Sequence, residues 1–203
     1  GDRFIQRDLA KTLNRIAKFG RDGFYDGPVA DMIVKEMQRG NGLISHKDLA
    51  NYSSIYREPV KGEYKDHIVL SMGPPSSGGA LLIHMLNMLE HYPIDSLGWN
   101  SSDYVHLLTE VERRAYADRA EHMGDPDYWK VPLDMLLSKE YAKSRIKNIN
   151  LQKATPSDSI SASKPPPYES PETTHYSVVD KWGNAVSVTT TINLGYGNGH
   201  VVK

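Results

Sequence analysis

The feature that most constrains the fold is a regular alternation of side chains near the end of the 203-residue chain. Two runs of strand-forming residues, 174–180 and 185–193, flank the turn sequence Lys181-Trp182-Gly183-Asn184. If the turn centres on Trp182, residues equidistant from it face each other across an antiparallel ladder, and Thr173 lies opposite Thr191. The pattern therefore predicts a β-hairpin with a register defined to about one residue.

The two faces of the predicted hairpin differ in chemistry, because neighbouring side chains of a strand point to opposite sides. The even-numbered face is almost wholly apolar: Tyr176, Val178, Val186, Val188, Ile192 and Leu194. The odd-numbered face carries mostly hydroxyl or amide groups: Thr173, His175, Ser177, Val179, Ser187, Thr189, Thr191 and Asn193. Taken alone, this is the pattern of a half-buried hairpin, because threonine is a good strand former.

The chain upstream of this hairpin is mainly helical as far as residue 149. Glycines such as Gly20 and Gly40 end helical patterns, and Ser45 followed by Asp48 indicates a capping box. Two short strands, Val60–Tyr64 and Ile68–Met72, predict a further β-hairpin. The predicted helices cover about 9–19, 28–39, 45–49, 80–92 and 101–123, with one or two shorter helices within 132–149. The helix at 80–92 is so apolar that we expect it to be buried.

Residues 150–172 differ in kind from the rest of the chain. They contain turn-forming and polyproline sequences, Thr155-Pro156-Ser157-Asp158-Ser159 and Lys164-Pro165-Pro166-Pro167, which are typical of a flexible loop. A loop longer than ~15 residues within a compact protein is often functional or cleavable.

A threonine at the start of a strand acquires a further role if the chain is cut before it. The new α-amine has an ordinary pKa of ~7.7–8.0, so near neutral pH an appreciable fraction of it is free base. Such an amine can take the proton from the hydroxyl of the same residue, which activates that hydroxyl as a nucleophile. A long proline-rich loop that leads into a strand starting at Thr173 is what a self-cleaving precursor requires.

Several separate motifs, around Thr173 and upstream of it, support the hypothesis of a self-cleaving precursor. Around Thr173 they are residues 168–180, Gly-Asn-Ala-Val-Ser-Val-Thr at 183–189 and Thr-Ile-Asn at 191–193. The upstream motifs are Pro74-Pro75-Ser76-Ser77-Gly78-Gly79, Ala115-Tyr116-Ala117-Asp118-Arg119 and Gly124-Asp125-Pro126-Asp127. In sequence and order these motifs resemble the γ-glutamyltranspeptidase family, and the stretch around Thr173 resembles its processing site. The resemblance spans essentially the whole chain.

The resemblance implies a fold, an activity and roles for individual residues. The expected fold is α+β, part of the αββα sandwich of N-terminal-nucleophile hydrolases. Residues 1–172 would form the C-terminal part of a large subunit, ending in a flexible processing loop at 150–172, and residues 173–203 the start of a small subunit with its central hairpin. The family precursor cuts itself between the equivalents of Glu172 and Thr173, and Thr173 then attacks γ-glutamyl amides. By the same resemblance Thr191 hydrogen-bonds the nucleophile, and Asn193 helps to hold the α-amino end of the donor.

The resemblance also implies partners and a location. The partners are γ-glutamyl small molecules such as glutathione, amino acid or peptide acceptors, and the remaining segments of both subunits; the location is the periplasm or the medium. The family's donor-gripping arginine, its oxyanion glycines and further donor-binding residues have no counterpart within residues 1–203, so we expect this segment by itself to be inactive. Gly73 stands where a third proline is common, which affects only the rigidity of that turn.

Alternatives remain open within and outside this family. Acylases and poly-γ-glutamate processors are related variants, and a non-catalytic, uncleaved fragment with a structural or interaction role is the alternative to an enzyme. A nucleophilic serine or an anion site within 74–79 is less well supported than a rigid turn before the helix at 80–92. The glycines at 195–199 lack the helix that follows a nucleotide-binding loop.

Composition and residue spacing exclude further classes of function. The net charge of −1 indicates no nucleic-acid partner, and no apolar stretch approaches the roughly 20 residues of a membrane-spanning helix. The histidines show no metal-ligand spacing, and His175 on the polar face is best interpreted as a structural hydrogen-bonder. We therefore expect no metal and no cofactor.

Overall fold

The computed structural model describes residues 1, 3–161, 173–191, 197 and 199–202. In chain order the elements are α1 (Arg7–Phe19), α2 (Asp22–Tyr25), α3 (Gly27–Arg39), α4 (His46–Asn51), β1 (Val60–Tyr64), β2 (His67–Ser71), α5 (Gly78–Leu89), α6 (Ser102–His122), α7 (Leu133–Leu136), α8 (Lys139–Arg145), β3 (Thr173–Val179) and β4 (Ala185–Thr191). They belong to two compact units, Gly1–Ile55 with Glu169–Lys203, and Tyr56–Tyr168.

The helix ends of the first unit follow the local sequence signals. Gly20 ends α1 in a left-handed conformation (φ 59°) that glycine adopts without strain. At the start of α4 the backbone amide of Ser45 donates to Asp48, and the backbone amide of Asp48 donates to the Ser45 hydroxyl, which completes the predicted capping box. These predictions are confirmed. A small core forms where Ala30 and Val34 of α3 pack with Leu49 of α4.

The second unit combines a two-stranded sheet with a helical core. Strands β1 and β2 pair antiparallel, from Val60 opposite Ser71 to Tyr64 opposite His67. The predicted second strand, Ile68–Met72, was placed one residue too late. The turn needs only two residues because Lys65 adopts a positive φ of 51°, as the first position of a tight hairpin turn requires.

Helix α5 lies at the centre of the second unit. Ile83 and Met88 are fully buried, which confirms the expectation for this segment, although Leu82 remains 40% exposed. The helix ends at Leu89 rather than at residue 92. The main core cluster combines residues of α5, α6 and α8: Leu81, Met88, Leu107, Val111, Ala115 and Ala142.

The C-terminal hairpin has the predicted register, whereas its first strand begins and ends one residue earlier than the predicted 174–180. The second strand is described as far as Thr191, so the predicted residues 192 and 193 lie outside the described part. The residues of the hairpin pair antiparallel, from Thr173 opposite Thr191 to Val179 opposite Ala185. Its apolar face is exposed among the described residues, since Tyr176, Val178 and Val186 each keep about half or more of their surface open to solvent.

Candidate functional site

The turn of the C-terminal hairpin is held by one aspartate. The carboxylate of Asp180 accepts hydrogen bonds from the backbone amides of Trp182 and Asn184, each 2.9 Å long, and from the Asn184 side chain at 2.8 Å. Gly183 adopts a positive φ of 86°, which suits glycine at this point of the turn. The hydrogen bond from the Asn184 side chain lowers the pKa of Asp180, and the hydrogen bonds from the backbone amides lower it further. These contacts set the turn and with it the register of the strands.

That register places Thr173 directly opposite Thr191. The two residues are Cα partners at the end of the ladder that lies away from the turn. Thr173 is also the first residue of β3. The predicted cross-strand pairing of the candidate nucleophile with Thr191 is confirmed. Glu172 and Asn193 lie outside the described residues, so the cleavage bond and the donor contact stay predictions.

A polar network follows Thr173 along the same hairpin. Thr189 Oγ1 lies 2.8 Å from Nδ1 of His175, and Ser187 Oγ lies 3.1 Å from its Nε2. Ser177 and Ser187 share a hydroxyl–hydroxyl contact of 3.1 Å. Hydroxyl groups thus engage both ring nitrogens of His175, which supports a structural hydrogen-bonding role for this residue.

The proline- and glycine-rich stretch at 74–79 forms a turn whose two end residues, Pro74 and Gly79, are buried. Arg119 donates to the Ser77 hydroxyl at 2.9 Å, and Ser76 accepts from the backbone amide of Gly78 at 3.3 Å. Helix α5 begins at Gly78. Both serines therefore support the turn, in line with the structural interpretation of this motif.

Helix α6 carries a buried polar stripe that the sequence patterns did not predict. Glu110, Arg114 and Asp118 are each at most 3% exposed. The carboxylate of Glu110 accepts from Arg114 at 2.7 Å, from Arg113 at 3.0 Å, and from both the backbone amide and the hydroxyl of Thr155 at 3.0 and 2.6 Å. Burial alone would raise the pKa of Glu110, but the hydrogen bonds from Thr155 and Arg114 outweigh it and lower that pKa.

The second half of the stripe centres on Asp118. Its carboxylate accepts from Arg145 at 3.0 Å and from the Tyr141 hydroxyl at 2.9 Å, and Nε2 of His84 lies 3.0 Å from it. Burial, followed by the hydrogen bond to Asp118, raises the pKa of Tyr141 to about 12. The sequence does contain a signal for the stripe. Its charged residues recur every four positions, and so do the buried apolar residues Leu107, Val111 and Ala115 of the same helix.

The described part of the chain holds neither a metal-binding cluster nor a membrane-spanning helix. There, no three His, Cys, Asp or Glu side chains are arranged to hold a metal ion. Among the described helices, none is long and apolar enough to cross a membrane.

Comparisons with known proteins agree with the motifs. The family model described as gamma-glutamyltranspeptidase matches residues 1–203. The glutathione hydrolase proenzyme of Escherichia coli (strain K12) is 49% identical over 201 residues, which are 99% of this chain and 35% of that protein. The acylase ACY 1 proenzyme of Pseudomonas sp. (strain SE83) is 41% identical over 198 residues, which are 97% of this chain and 35% of that protein. The chain thus spans about a third of the length of these relatives.

A solved structure of a gamma-glutamyltranspeptidase also resembles this chain. The gamma-glutamyltranspeptidase of Helicobacter pylori superposes with a TM-score of 0.72 at 46% identity. The match covers 79% of this chain and 46% of that chain.

Proposed function

The chain belongs to the gamma-glutamyltranspeptidase family, and we propose that its parent protein cuts itself between Glu172 and Thr173 and then transfers or hydrolyses γ-glutamyl groups through Thr173. The chain is part of the N-terminal-nucleophile hydrolase fold. In this proposal residues 1–172 end the large subunit and residues 173–203 begin the small one. The observation that carries it is the pairing of Thr173, at the start of β3, with Thr191 on β4.

The first step is an internal acyl shift. The Thr173 hydroxyl oxygen attacks the Glu172 carbonyl carbon, the C–N bond between the two residues breaks, and the nitrogen takes up the proton that the hydroxyl loses. Water then hydrolyses the resulting ester. Glu172 is left with a carboxylate, and Thr173 with a free hydroxyl and a free α-amine.

The second step is turnover. The α-amine, with an ordinary pKa of ~7.7–8.0, is about 10–20% free base at pH 7, and this free-base form accepts the hydroxyl proton. The Thr173 oxygen attacks the carbonyl carbon of a γ-glutamyl amide, the amide C–N bond breaks, and the departing amine takes up a proton. Water or an acceptor amine then attacks the γ-glutamyl ester and releases Thr173.

Thr191 and Asn193 have distinct roles in this scheme. Thr191 orients the Thr173 oxygen by a hydrogen bond from the opposite strand, and Asn193 holds the α-amino end of the donor. The chemistry requires no cofactor, because the nucleophile and the base belong to one residue. The name of the Escherichia coli relative, glutathione hydrolase proenzyme, supports both a precursor and a γ-glutamyl tripeptide as donor.

A related acylase activity is the second candidate. The observation that favours it is the 41% identity to an acylase proenzyme. An acylase would use the same Thr173 ester chemistry on a different amide, so the two candidates differ in substrate and share self-cleavage. Location in the periplasm or medium and partnership with amino acid or peptide acceptors are part of the proposal by family membership alone.

Intact-protein mass spectrometry of the purified full-length parent tests the proposal. We expect two fragments that divide between Glu172 and Thr173, one uncut chain for Thr173→Ala, and slower division for Thr173→Ser, which retains a hydroxyl. Thr174→Ala is the matched control and should divide normally. A single uncut parent chain would remove the α-amine that the mechanism needs and favour a non-catalytic role. Product analysis with glutathione and with acylase substrates then separates the two activities.

A further inference from the structure

The odd-numbered face of the C-terminal hairpin carries three successive cross-strand pairs of polar residues. They share this face because successive residues of a strand alternate sides, so every second pair of the ladder lies on it. Counted from the turn, the pairs are Ser177 with Ser187, His175 with Thr189, and Thr173 with Thr191. Within β3 and β4, the pair that contains the proposed nucleophile therefore has one neighbour on this face, the pair of His175 with Thr189.

The imidazole ring of His175 connects the two strands through hydroxyl groups. Its Nδ1 lies 2.8 Å from Oγ1 of Thr189, directly across the ladder. Its Nε2 lies 3.1 Å from the hydroxyl oxygen of Ser187 and 3.5 Å from that of Ser177. A neutral imidazole has one donor and one acceptor nitrogen, an imidazolium has two donors, and a hydroxyl can donate or accept. The contacts of the ring therefore do not require one particular charge state.

The two nitrogens of this ring act at different places along the hairpin. The Nε2 contacts lie towards the turn, where the carboxylate of Asp180 already accepts from two backbone amides. The Nδ1 contact joins β3 to β4 at Thr189, two residues before Thr191. Of the contacts that the ring makes, the Nδ1 contact is therefore the one nearest in register to the pair of Thr173 with Thr191.

The pair of Thr173 with Thr191 lies at the end of the ladder, where pairing needs support. The end of a ladder opens locally at a lower free-energy cost than its interior, and chain ends open most easily. In the proposed mechanism, cleavage turns Thr173 into a chain end. Within the hairpin, the spacing of this last pair then depends on how firmly the neighbouring pair holds the two strands together.

We propose that His175 is a positioning residue for the Thr173 reaction: its Nδ1 contact with Thr189 holds β4 at the spacing that keeps Thr191 opposite the nucleophile. This inference rests on the proposed function. In this role the ring transfers no proton. Because the rate of attack depends steeply on the placement of the reacting group, loss of the Nδ1 contact should lower kcat and leave KM nearly unchanged.

The test separates the two ring nitrogens in the full-length parent. His175→Asn keeps an amide atom near the position of Nδ1, and His175→Gln keeps one near the position of Nε2. Thr189→Val removes the hydroxyl partner of Nδ1 and leaves the ring in place, so it carries the test even if the His175 variants fail to divide. Ser187→Ala, which removes a partner of Nε2, is the matched control.

The measurement is steady-state kinetics with the substrate that the parent turns over, glutathione or an acylase substrate. Intact-protein mass spectrometry gives the divided fraction of each variant, and kcat is expressed per divided enzyme. Melting temperatures report any general loss of stability.

We expect kcat to fall about two- to tenfold in His175→Gln and in Thr189→Val, as for the loss of one hydrogen bond. His175→Asn and Ser187→Ala should keep most of the parent kcat. The double variant His175→Gln with Thr189→Val should be no slower than either single variant, because both substitutions remove the same contact.

Equal kcat values for His175→Asn and His175→Gln, or additive losses in the double variant, would overturn the inference and leave the proposed function standing. An unchanged kcat in Thr189→Val would do the same. A parent chain that never divides would overturn the proposed function and the inference with it.

Discussion

Thr173 and Thr191 are Cα partners at the end of the β3–β4 ladder, the position farthest from the turn at Asp180. Directly opposite residues of an antiparallel pair have β-carbons about 4.5–5.5 Å apart, within reach of a hydroxyl–hydroxyl contact. A residue on the neighbouring strand can thus orient the proposed nucleophile without any contribution from a distant loop.

Removal of the Thr191 hydroxyl should slow turnover. In the full-length parent, Thr191→Val should lower kcat/KM by about two- to tenfold, since a hydrogen bond contributes about 0.5–1.5 kcal/mol. Thr191→Ser should retain most of the activity. Thr190→Val is the matched control, because Thr190 pairs with Thr174 rather than with Thr173. Equal rates for Thr191→Val and Thr190→Val would exclude the orienting role.

A β-carbon at Gly79 should destabilise the fold, whereas one at Gly78 should not. At Gly79 the added atom would fall inside contact distance of the Met72 carbonyl oxygen and lie 2.8 Å from Cγ2 of Val60. Because backbone cannot yield as a side chain can, we expect Gly79→Ala to cost about 1–3 kcal/mol. At Gly78 the nearest atom is the Ser76 hydroxyl oxygen, 3.5 Å away. Thermal melting of both variants checks this, and equal melting temperatures would contradict it.

The elements that the sequence predicted well depend on neighbours along the chain. The capping box at Ser45 and Asp48, the end of α1 at Gly20 and the pairing of Thr173 with Thr191 all follow from local spacing and turn chemistry. The buried contact of Glu110 with Thr155 joins residues 45 positions apart, and no period or cap signals such a contact. Composition alone therefore assigned Thr155 to a loop.

In the candidate site, too, the local pattern predicted some features and carried no information on others. Alternation predicted which residues share the polar face with His175 and which pair across the ladder. It predicted equally well that Tyr176 and Val178 lie on an apolar face, but it carries no information on what covers that face. The proposed roles of Glu172 and Asn193 rest on the family resemblance, because they lie outside the described residues.

Acid should weaken the Glu110 contacts. The pKa of Glu110 is lowered, so its carboxylate contributes stability that is complete above its ordinary pKa of 4.5 and lost as pH falls through the lower folded value. We expect Glu110→Gln to lower the stability of the parent by about 3–5 kcal/mol at neutral pH, as for a broken buried pair. The difference between parent and variant should shrink below pH 4.5. A difference that is constant from pH 7 to pH 3 would contradict this assignment.

An alkaline titration should reveal the ionisation of the Tyr141 phenol. Its pKa is raised to about 12 from an ordinary 10.0, so the stability contributed by the neutral phenol is complete below pH 10 and lost as pH rises towards 12. In an absorbance titration at alkaline pH, Tyr141→Phe should lack the last ionisation step. Tyr128→Phe, at a residue 90% exposed, should retain that step. If both variants lose the same step, Tyr141 is not the buried phenol.

The exposed apolar face of the hairpin should make the 203-residue chain associate. Val178 and Val186 are Cα partners on this face, and each is 57% exposed. An uncovered apolar face on a two-stranded hairpin favours pairing with further strands or with another copy. Val178→Lys with Val186→Glu places an attractive charge pair across the strands and should increase the monomer fraction in size-exclusion chromatography. The matched control is Ser177→Lys with Ser187→Glu, the neighbouring cross-strand pair, which should leave association unchanged. An unsubstituted chain that elutes as a clean monomer would show that this face does not drive association.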